Sequence, residues 1–393
     1  MKIRWISFLA MPLLWSCSDS SDNYVPIDPY VNVKATFGDT IDLDNLANYA
    51  NQAVPNYITR DNTSGNPITN KGATLGRILF YDTKLSADNT ISCASCHQQT
   101  HAFGDTNVAS IGVNGTTGRH AMRLINSRFS VENKFFWDER AATLEIQTTQ
   151  PIRNHVEMGY SGADGDEDFS NLVTKLSSIE YYKELFQFVY SSEAITETKI
   201  QLALAQFIRS IQSFDSKYDT GRAQVANDNQ PFPNYSNQEN QGKQLFLNPP
   251  QFDATGNRIG GGLGCAGCHA APEFDIAPNS GNNGIIGVLN GSGIDITNTR
   301  APSLRDIVKQ DGSLNGPLMH TGVITSLQAV IGHYGTINLA PGNTNLDPKL
   351  KPNGFGQQLH LTAPEVNALM AFLKTLSGSN VYTDPKWSNP FPN

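Results

Sequence analysis

Four of the five cysteines in the chain form two pairs with identical spacing, and a histidine directly follows each pair. The residues are Cys93, Cys96 and His97 in the first motif, and Cys265, Cys268 and His269 in the second. Cys-x-x-Cys-His is the covalent attachment motif of haem c, in which both thiols bind the porphyrin and the histidine binds the iron. A zinc site would use two cysteine pairs together and would not require a histidine after each. The sequence therefore predicts two haem c groups, each with its histidine as the proximal iron ligand.

A similar segment precedes each motif. The sequence GRILF begins at Gly76, and the sequence GKQLF begins at Gly242. Each segment is typical of a helix that leads to its motif, and the pairing predicts an internal duplication. We therefore expect an all-α fold of two cytochrome c-like haem domains with an N-terminal extension. The 33 glycines and 21 prolines predict long loops between the helices.

Other helices are predicted from the spacing of apolar residues. Apolar side chains recur at helical spacing over 200–211 and again over 366–373. Thr362 and Glu365 form a capping box before the second of these segments. The same spacing over 43–54 predicts one amphipathic helix in the N-terminal extension. No segment shows the sustained alternation of apolar and polar residues that is typical of strands.

The length of 393 residues corresponds to about two domains, at roughly 150 residues each. A stretch rich in asparagine and proline at 222–236 predicts the linker between them. The predicted parts are a lipoprotein signal peptide at 1–17, a tether and N-terminal extension at 18–70, a first haem domain at 71–225, a second haem domain at 236–378 and a C-terminal tail at 379–393.

The N-terminus has the features of an export signal. Lys2 and Arg4 give a positive start, and the apolar run over 5–15 is too short to span a bilayer. Leu14 and a small serine precede Cys17, an arrangement that predicts lipid attachment at Cys17. A general secretory signal that contains a cysteine by chance is the alternative. We expect an exported protein, either periplasmic or an outer-membrane lipoprotein, and the acidic run after Cys17 favours exposure at the cell surface.

The overall charge argues against one class of partner. The formal net charge is −8, and only 16% of the residues are charged. A protein that binds nucleic acid carries a basic patch or stripe, which this composition does not favour. We therefore expect no nucleic-acid partner.

Several stretches outside the two motifs resemble the bacterial di-haem cytochrome c peroxidases, to which the MauG-type enzymes are related. They lie at 75–82, 135–141, 157–159, 302–305, 319–322 and 361–362. These stretches keep the order and spacing of the family. The resemblance implies that the first haem is the peroxide site and that the second haem supplies it with electrons.

The resemblance also implies roles for individual residues. Glu157 matches the acid–base catalyst, which moves a proton from one peroxide oxygen to the other. Trp137 matches the tryptophan that conducts electrons between the haems. From the residues alone, a solvated loop carboxylate and a packed core tryptophan are the alternatives. Arg77 and Arg140 are further expected to bind haem propionates.

Two positions depart from the family pattern on the distal side of the irons. Val113 stands where many members have a distal histidine, and His120 is the residue that would replace it. If neither binds, the first haem is open to peroxide from the start. Tyr334 stands in the place of the methionine ligand of the second haem, as in MauG-type enzymes. It shares a helical face with Leu327 and Ile331, so we expect it to point inward, either as an iron ligand or as a packed core tyrosine.

The interdomain calcium site of the family is matched in part. Its two carbonyl ligands correspond to Asn315 and Pro317, and its asparagine side chain corresponds to His120. Because calcium prefers oxygen ligands, a histidine at this position departs from the family's donor set. We expect at most one calcium ion here, and His120 is a candidate for two roles.

Taken with the resemblance, the sequence predicts a peroxidase that reduces hydrogen peroxide to water. Its electron donor would be a small periplasmic protein, either a cytochrome c or a cupredoxin. One alternative is a MauG-like enzyme that oxidises a partner protein, which Tyr334 favours. Another is a non-catalytic di-haem electron carrier with two six-coordinate haems. Members of the family are often dimers, so a homodimer is also expected.

Overall fold

The computed structural model describes Met1 and residues 28–131 and 134–392, so residues 2–17 of the predicted signal peptide, including Cys17, lie outside the described residues. Its helices are α1 (Val31–Phe37), α2 (Asn70–Tyr81), α3 (Cys93–Cys96), α4 (Leu144–Thr149), α5 (Phe169–Ser177), α6 (Glu180–Tyr190), α7 (Glu197–Ser210), α8 (Lys217–Arg222), α9 (Asn237–Leu247), α10 (Leu327–Gly335) and α11 (Ala363–Lys374). No described helix has both the length and the hydropathy needed to cross a membrane.

Regular structure in the described chain is mostly helical, and two of the three helices predicted from apolar spacing are present. The segment over 200–211 forms α7, and Thr362 caps α11 in the predicted box with Glu365. The backbone N–H of Thr362 donates to Glu365 Oε2 at 3.0 Å, which satisfies one of the donors left free at a helix start.

Short strands accompany the helices, which the expectation of an all-α fold did not include. They are β1 (Ile111–Gly112), β2 (Gly115–Thr116), β3 (Pro250–Phe252), β4 (Arg258–Gly261), β5 (His269–Ala270) and β6 (Asp275–Ile276). They pair as three antiparallel ribbons of two strands each in the described part of the chain. Strands of two to four residues are too short to show the alternation by which strands are recognised in a sequence.

The predicted helix over 43–54 is wrong, because this segment folds as turns. Side-chain amides take the backbone N–H groups that a helix would use. The Asn70 Oδ1 atom accepts from the N–H groups of both Tyr49 and Ala50 at 2.9 Å. Asn48 Oδ1 accepts from the backbone three residues further on, also at 2.9 Å. Asparagine competes with helical hydrogen bonding in this way, and apolar spacing does not reveal it.

Two helix pairs cross at the glycines that lead to the cysteine motifs. α2 packs on α7, and α9 packs on α11. A Cβ atom at Gly76 would overlap the carbonyl oxygen of Ala203, and one at Gly242 would overlap the carbonyl oxygen of Ala368. The backbones therefore approach closely at both crossings, which only glycine permits.

Aromatic rings complete each crossing with matching geometry. The ring centroids of Phe80 and Phe207 lie 5.2 Å apart with an interplanar angle of 57°. Those of Phe246 and Phe372 lie 5.3 Å apart, also at 57°. Tilted ring pairs at this separation are a favourable arrangement. The two helix pairs therefore hold the same contact at the same place.

Two large hydrophobic cores lie in the described chain, with a small third cluster of Ile337, Leu346 and Leu350. The first includes side chains of α2, α5, α6 and α7, and the second includes side chains of α9, α10 and α11. The first core also takes in Val33 and Phe37 of α1, and Val381 and Trp387 from the C-terminal tail. The Trp387 indole N–H donates to Ser210 Oγ at 3.3 Å. The tail thus leaves the second core and packs against the first.

Candidate functional site

The first cysteine motif forms a single helical turn that presents both thiols together. Ser92 caps α3 in a box with Ser95, and the backbone N–H of Ser92 donates to Ser95 Oγ at 3.0 Å. This cap fixes Cys93 and Cys96 one turn apart. The chain leaves the helix at His97, whose backbone N–H still donates to the Cys93 carbonyl at 2.9 Å.

A backbone carbonyl anchors the imidazole of His97. Its Nδ1 lies 3.2 Å from the carbonyl oxygen of Phe103. Ala102 and Phe103 have φ angles of 52° and 58°, in the left-handed region, and so bring the chain back under the ring. Burial lowers the pKa of His97, which favours the neutral ring. With Nδ1 bonded, Nε2 is the nitrogen left for a metal.

The second motif repeats this arrangement on a different backbone. A 3₁₀ turn at Cys265–Gly267 replaces the helical turn, and His269 begins β5. The Nδ1 atom of His269 lies 3.3 Å from the carbonyl oxygen of Phe274, which has a φ of 54°. Both histidines are therefore anchored by the carbonyl of a phenylalanine held in the left-handed region.

A cavity adjoins each motif. The first cavity has a volume of about 380 Å³ and continues beside the motif as a recess of about 60 Å³. The second cavity has a volume of about 510 Å³. Cys96, His97 and Glu157 line both parts of the first cavity. Cys265 and His269 are among the residues that line the second.

The residues at both motifs fit a haem c. Each offers two thiols at the wall of a cavity, next to a neutral imidazole whose Nδ1 is already bonded. A hydrogen bond to Nδ1 fixes the ring orientation and raises the basicity of the other nitrogen, as metal-bound histidines require.

Glu157 lies on the first cavity, at a position fixed by the ribbon of β1 and β2. Val113, in the turn of that ribbon, donates its backbone N–H to the Glu157 carbonyl at 3.1 Å. A Cβ atom at Gly112 would overlap the Val156 carbonyl, so the ribbon approaches this segment closely. Burial raises the pKa of Glu157 to about 7, and the positive charge of Arg140 offsets only part of that shift. A carboxyl group with such a pKa can both accept and donate a proton near neutral pH.

Trp137 lies in the wall that separates the two cavities and lines both. Its indole N–H donates to the carbonyl of His120 at 2.7 Å. Its ring lies 6.2 Å from the ring of His320, measured between centroids. The side chain is 8% exposed, so it is fixed between the halves of the molecule.

His120 also lines both cavities, and its ring is held by the backbone. Its Nδ1 lies 2.9 Å from the carbonyl oxygen of Asn107. Its backbone N–H donates to the His320 carbonyl at 2.7 Å, which joins the two halves. Burial lowers the pKa of His120, so the ring is neutral at physiological pH.

The residues predicted for a calcium site lie close together. Gly316, between Asn315 and Pro317, packs so closely that a Cβ atom there would overlap the Asp105 carbonyl, with His120 Nε2 beside it. The side-chain amide of Asn315 donates to the Asp306 carbonyl at 2.7 Å. The described residues contain no cluster of three or more His, Cys, Asp or Glu that could hold a metal ion. Calcium stays a prediction.

Tyr334 on α10 lines the second cavity together with both thiols of the second motif. Its neighbour His333 turns away, and the Nε2 atom of His333 lies 2.9 Å from the Asn283 carbonyl. Burial raises the pKa of Tyr334 above its ordinary value. The side chain of Tyr334 therefore points inward, as its place on the helical face predicted.

Sequence reasoning missed Met319, which also lines the second cavity. Its φ is 69°, and its sulfur accepts from the Asn283 amide at 3.4 Å. A thioether is a common axial ligand of haem c. Because Met319 lies in a turn with a left-handed backbone, no periodicity could indicate where its side chain points.

The two arginines expected at haem propionates differ in placement. Arg140 lines the first cavity and is paired with Asp138 at 2.9 Å. Arg77 instead donates to the Ser388 carbonyl at 2.6 Å and is not among the residues that line either cavity. The expectation for Arg77 gains no support from this placement and stays a prediction.

Fold and site together define a protein with two cavities, each beside a Cys-x-x-Cys-His motif that fits a haem c, and with a buried carboxyl group at one of them. A sequence model of the di-haem cytochrome c peroxidase family matches residues 70–227. The chain is 29% identical to the methylamine utilization protein MauG of Methylophilus methylotrophus over 80% of its length and 84% of that protein. It is 28% identical to the cytochrome c551 peroxidase of Nitrosomonas europaea over 78% of its length and 80% of that protein.

A solved structure agrees with these relatives. The crystal structure of a MauG-like protein associated with microbial copper homeostasis matches with a TM-score of 0.66 and 28% identity. The match covers 86% of this chain and 99% of that one. The chain is thus similar over most of its length to MauG and cytochrome c peroxidase proteins, and residues 70–227 match the di-haem cytochrome c peroxidase family. It is therefore an enzyme, an oxidoreductase of the peroxidase type, and the family implies two haem c cofactors.

Proposed function

We propose that the enzyme reduces hydrogen peroxide to water with two electrons from a small periplasmic cytochrome c or cupredoxin. The observation that carries this proposal is the position of Glu157 on the cavity beside His97. A haem bound at His97 would supply the iron at which the O–O bond is cleaved. Two electrons, two protons and one peroxide balance as two waters.

In this proposal Glu157 handles the protons. Its carboxylate would take a proton from one peroxide oxygen and return it to the other, which would leave as water. The pKa of about 7 supports this, since both protonation states are accessible at neutral pH. The close ribbon contact at Gly112 supports a fixed position for the carboxylate.

Trp137 serves as the route between the halves. Electrons would enter at a haem held by His269 and would reach a haem held by His97 through the indole. The place of Trp137 in the wall of both cavities supports this role. Its hydrogen bond to His120 fixes the plane of the ring.

Replacing Glu157 by glutamine tests the proposal. We expect peroxide turnover with a reduced cytochrome c to fall by about 10²- to 10⁴-fold, the usual contribution of a general acid–base residue. Two haems per chain should remain. Glu167→Gln, an exposed carboxylate in the same region, is the matched control and should turn over normally. Full activity in Glu157→Gln would rule out the assigned role.

Oxidation of a partner protein is the second candidate function, and Tyr334 in the second cavity favours it. A relative at 29% identity is named for methylamine utilization, which supports a comparison with MauG. Steady-state peroxide turnover with reduced cytochrome c above about 1 s⁻¹, an ordinary enzyme rate, would count against it. A non-catalytic electron carrier would instead show two six-coordinate haems, and no high-spin signal that peroxide converts.

We also propose that the two halves arose by duplication of one haem module. The equal ring geometry at the two helix crossings supports this. An independent observation also supports the duplication. Each proximal histidine lies against the carbonyl of a phenylalanine whose φ angle is in the left-handed region.

The proposed cellular setting is an exported lipoprotein attached through Cys17, in the periplasm or at the outer membrane. Metabolic labelling with a fatty acid, compared between the native chain and Cys17→Ser, tests the anchor.

For calcium, we propose at most one ion near His120, Asn315 and Pro317. An unchanged haem spectrum after treatment with a calcium chelator is expected if the imidazole of His120 prevents binding there.

A further inference from the structure

Arg123 lies at the junction of the two cavities. It ends a short segment, residues 120–123, whose members all line both cavities. Its Nη2 atom donates to the carbonyl of Ser303 at 2.8 Å, across the boundary between the halves. The backbone of the preceding Met122 lies against the ring of His97, and that of Pro302 lies against the ring of His269. Arg123 thus connects the two segments that back the proximal histidines.

The guanidinium of Arg123 forms no ion pair with a carboxylate of the described residues. Its Nε is buried without a hydrogen-bond partner there, and its Nη1 makes no hydrogen bond in the same set. Other arginines of this region are compensated. Arg300 lies 3.4 Å from Asp275, and Arg305 lies 3.0 Å from Asp219.

A cation withdrawn from water is unfavourable unless an anion accompanies it. Burial lowers the pKa of Arg123, and the charge of Asp306 offsets this only in part. The two cavities that Arg123 lines belong to the motifs that fit haem c, and each haem carries carboxylates on its propionate groups. These carboxylates are the anions that binding of the cofactors would bring to the junction.

The corresponding position in the second half has no such charge. Ala121, Met122, Arg123 and Leu124 correspond to Ala301, Pro302, Ser303 and Leu304. The cation is therefore a property of the first half alone and not of the repeated haem module. The side chain of Arg123 reaches from the first half to Ser303 of the second half.

We propose that Arg123 is a shared positioning residue that binds haem propionate at the junction and raises the reduction potential of both haems. A positive charge nearby disfavours the oxidised iron, which carries one more positive charge than the reduced iron. Because one guanidinium serves two sites, removing it shifts both potentials in the same direction. This inference rests on the two haem c groups of the proposed function, and not on peroxide reduction.

The test is spectroelectrochemical titration of the holoenzyme without peroxide, so it reads the same whether or not the enzyme turns over peroxide. In Arg123→Met we expect two haems per chain and both midpoint potentials below those of the native protein. Arg123→Lys keeps the charge and should stay close to the native potentials. Arg258→Met is the matched control, since Arg258 is paired with Glu365 at 2.7 Å away from both cavities.

Unchanged potentials in Arg123→Met overturn the proposal, and a shift of only one haem overturns the shared role. An equal fall in Arg123→Lys also overturns it, because charge would then not be the cause. If Arg123→Met does not retain its haems, Arg123→Gln is titrated instead. Loss of haem in both neutral variants with retention in Arg123→Lys supports the counter-ion role, and loss in all three overturns it.

Discussion

At the scale of single residues, some functional residues can be recognised from the local sequence, and others only from where the fold places them. The two cysteine motifs are recognised from three residue types at fixed spacing, because attachment chemistry is local. Glu157 and Trp137 have no such local signature. Their positions at the cavities depend on a ribbon contact at Gly112 and on a hydrogen bond to His120.

Activity should depend on pH through Glu157. Burial raises the pKa of this carboxyl to about 7, and only the ionised form accepts a proton from peroxide. We therefore expect kcat/KM to fall as pH drops below that value, by up to about tenfold per pH unit. A pH profile measured by stopped flow checks this. The acidic limb should be absent in Glu157→Gln, and its persistence there would assign it to another group.

Tyr334→Phe should change the spectrum of one haem only. Removing the hydroxyl removes the proposed ligand from the second cavity, so the electron paramagnetic resonance signal of that haem should shift. Its reduction potential should rise, because a phenolate stabilises the oxidised iron. Tyr235→Phe is the control, since that buried hydroxyl bonds Thr375 at 2.5 Å, apart from both cavities. Identical spectra in Tyr334→Phe and the native protein would leave Tyr334 as a packed side chain.

At the scale of elements, the sequence predicted several of the helices and also one helix that does not form. α7 and α11 follow their apolar spacing, since both bury one face against a partner helix. The segment over 43–54 has the same spacing and does not form a helix. Its backbone N–H groups bond Asn48 and Asn70, and the second of these lies too far along the chain for a local pattern to reveal. The short strands were not predicted either, because strands of two to four residues are too short to show a periodic pattern.

The helix crossings depend on glycine. Gly242→Ala places a Cβ atom on the Ala368 carbonyl, so the free energy of unfolding should fall by about 1–3 kcal/mol. Gly332→Ala is the control, because nothing lies within 4 Å of a Cβ atom at that position in α10. It should gain about 0.5–1 kcal/mol through higher helix propensity. Guanidinium unfolding of both holoproteins checks the pair, and equal stabilities would contradict the close crossing.

At the scale of the whole molecule, contacts between distant parts of the chain bring the two haem pockets together. The segment with His120 and Arg123 bonds the second half at His320 and Ser303. The C-terminal tail returns to the first core. Sequence analysis identified the tail as a separate part but not its destination. Nothing local in a tryptophan near the end of the described chain shows which core it joins.

Trp387→Ala should destabilise the first core. The indole is 2% exposed and packs with side chains of that core, so its removal should cost about 3–5 kcal/mol. Thermal unfolding, followed at the haem band, should show a lower midpoint. Phe355→Ala, at a ring that is 50% exposed, is the control and should change little. Equal midpoints for the two variants would show that the tail is not part of the core.

The return of the tail has a consequence for biosynthesis. Val381 and Trp387 belong to the first core but are translated after the entire second half. The first half therefore cannot complete its core while the chain is still being made. Covalent attachment at Cys93 and Cys96 can take place before that closure, on a half that is still open. A fragment without its tail would therefore leave the first core unfinished, even if the second half were complete.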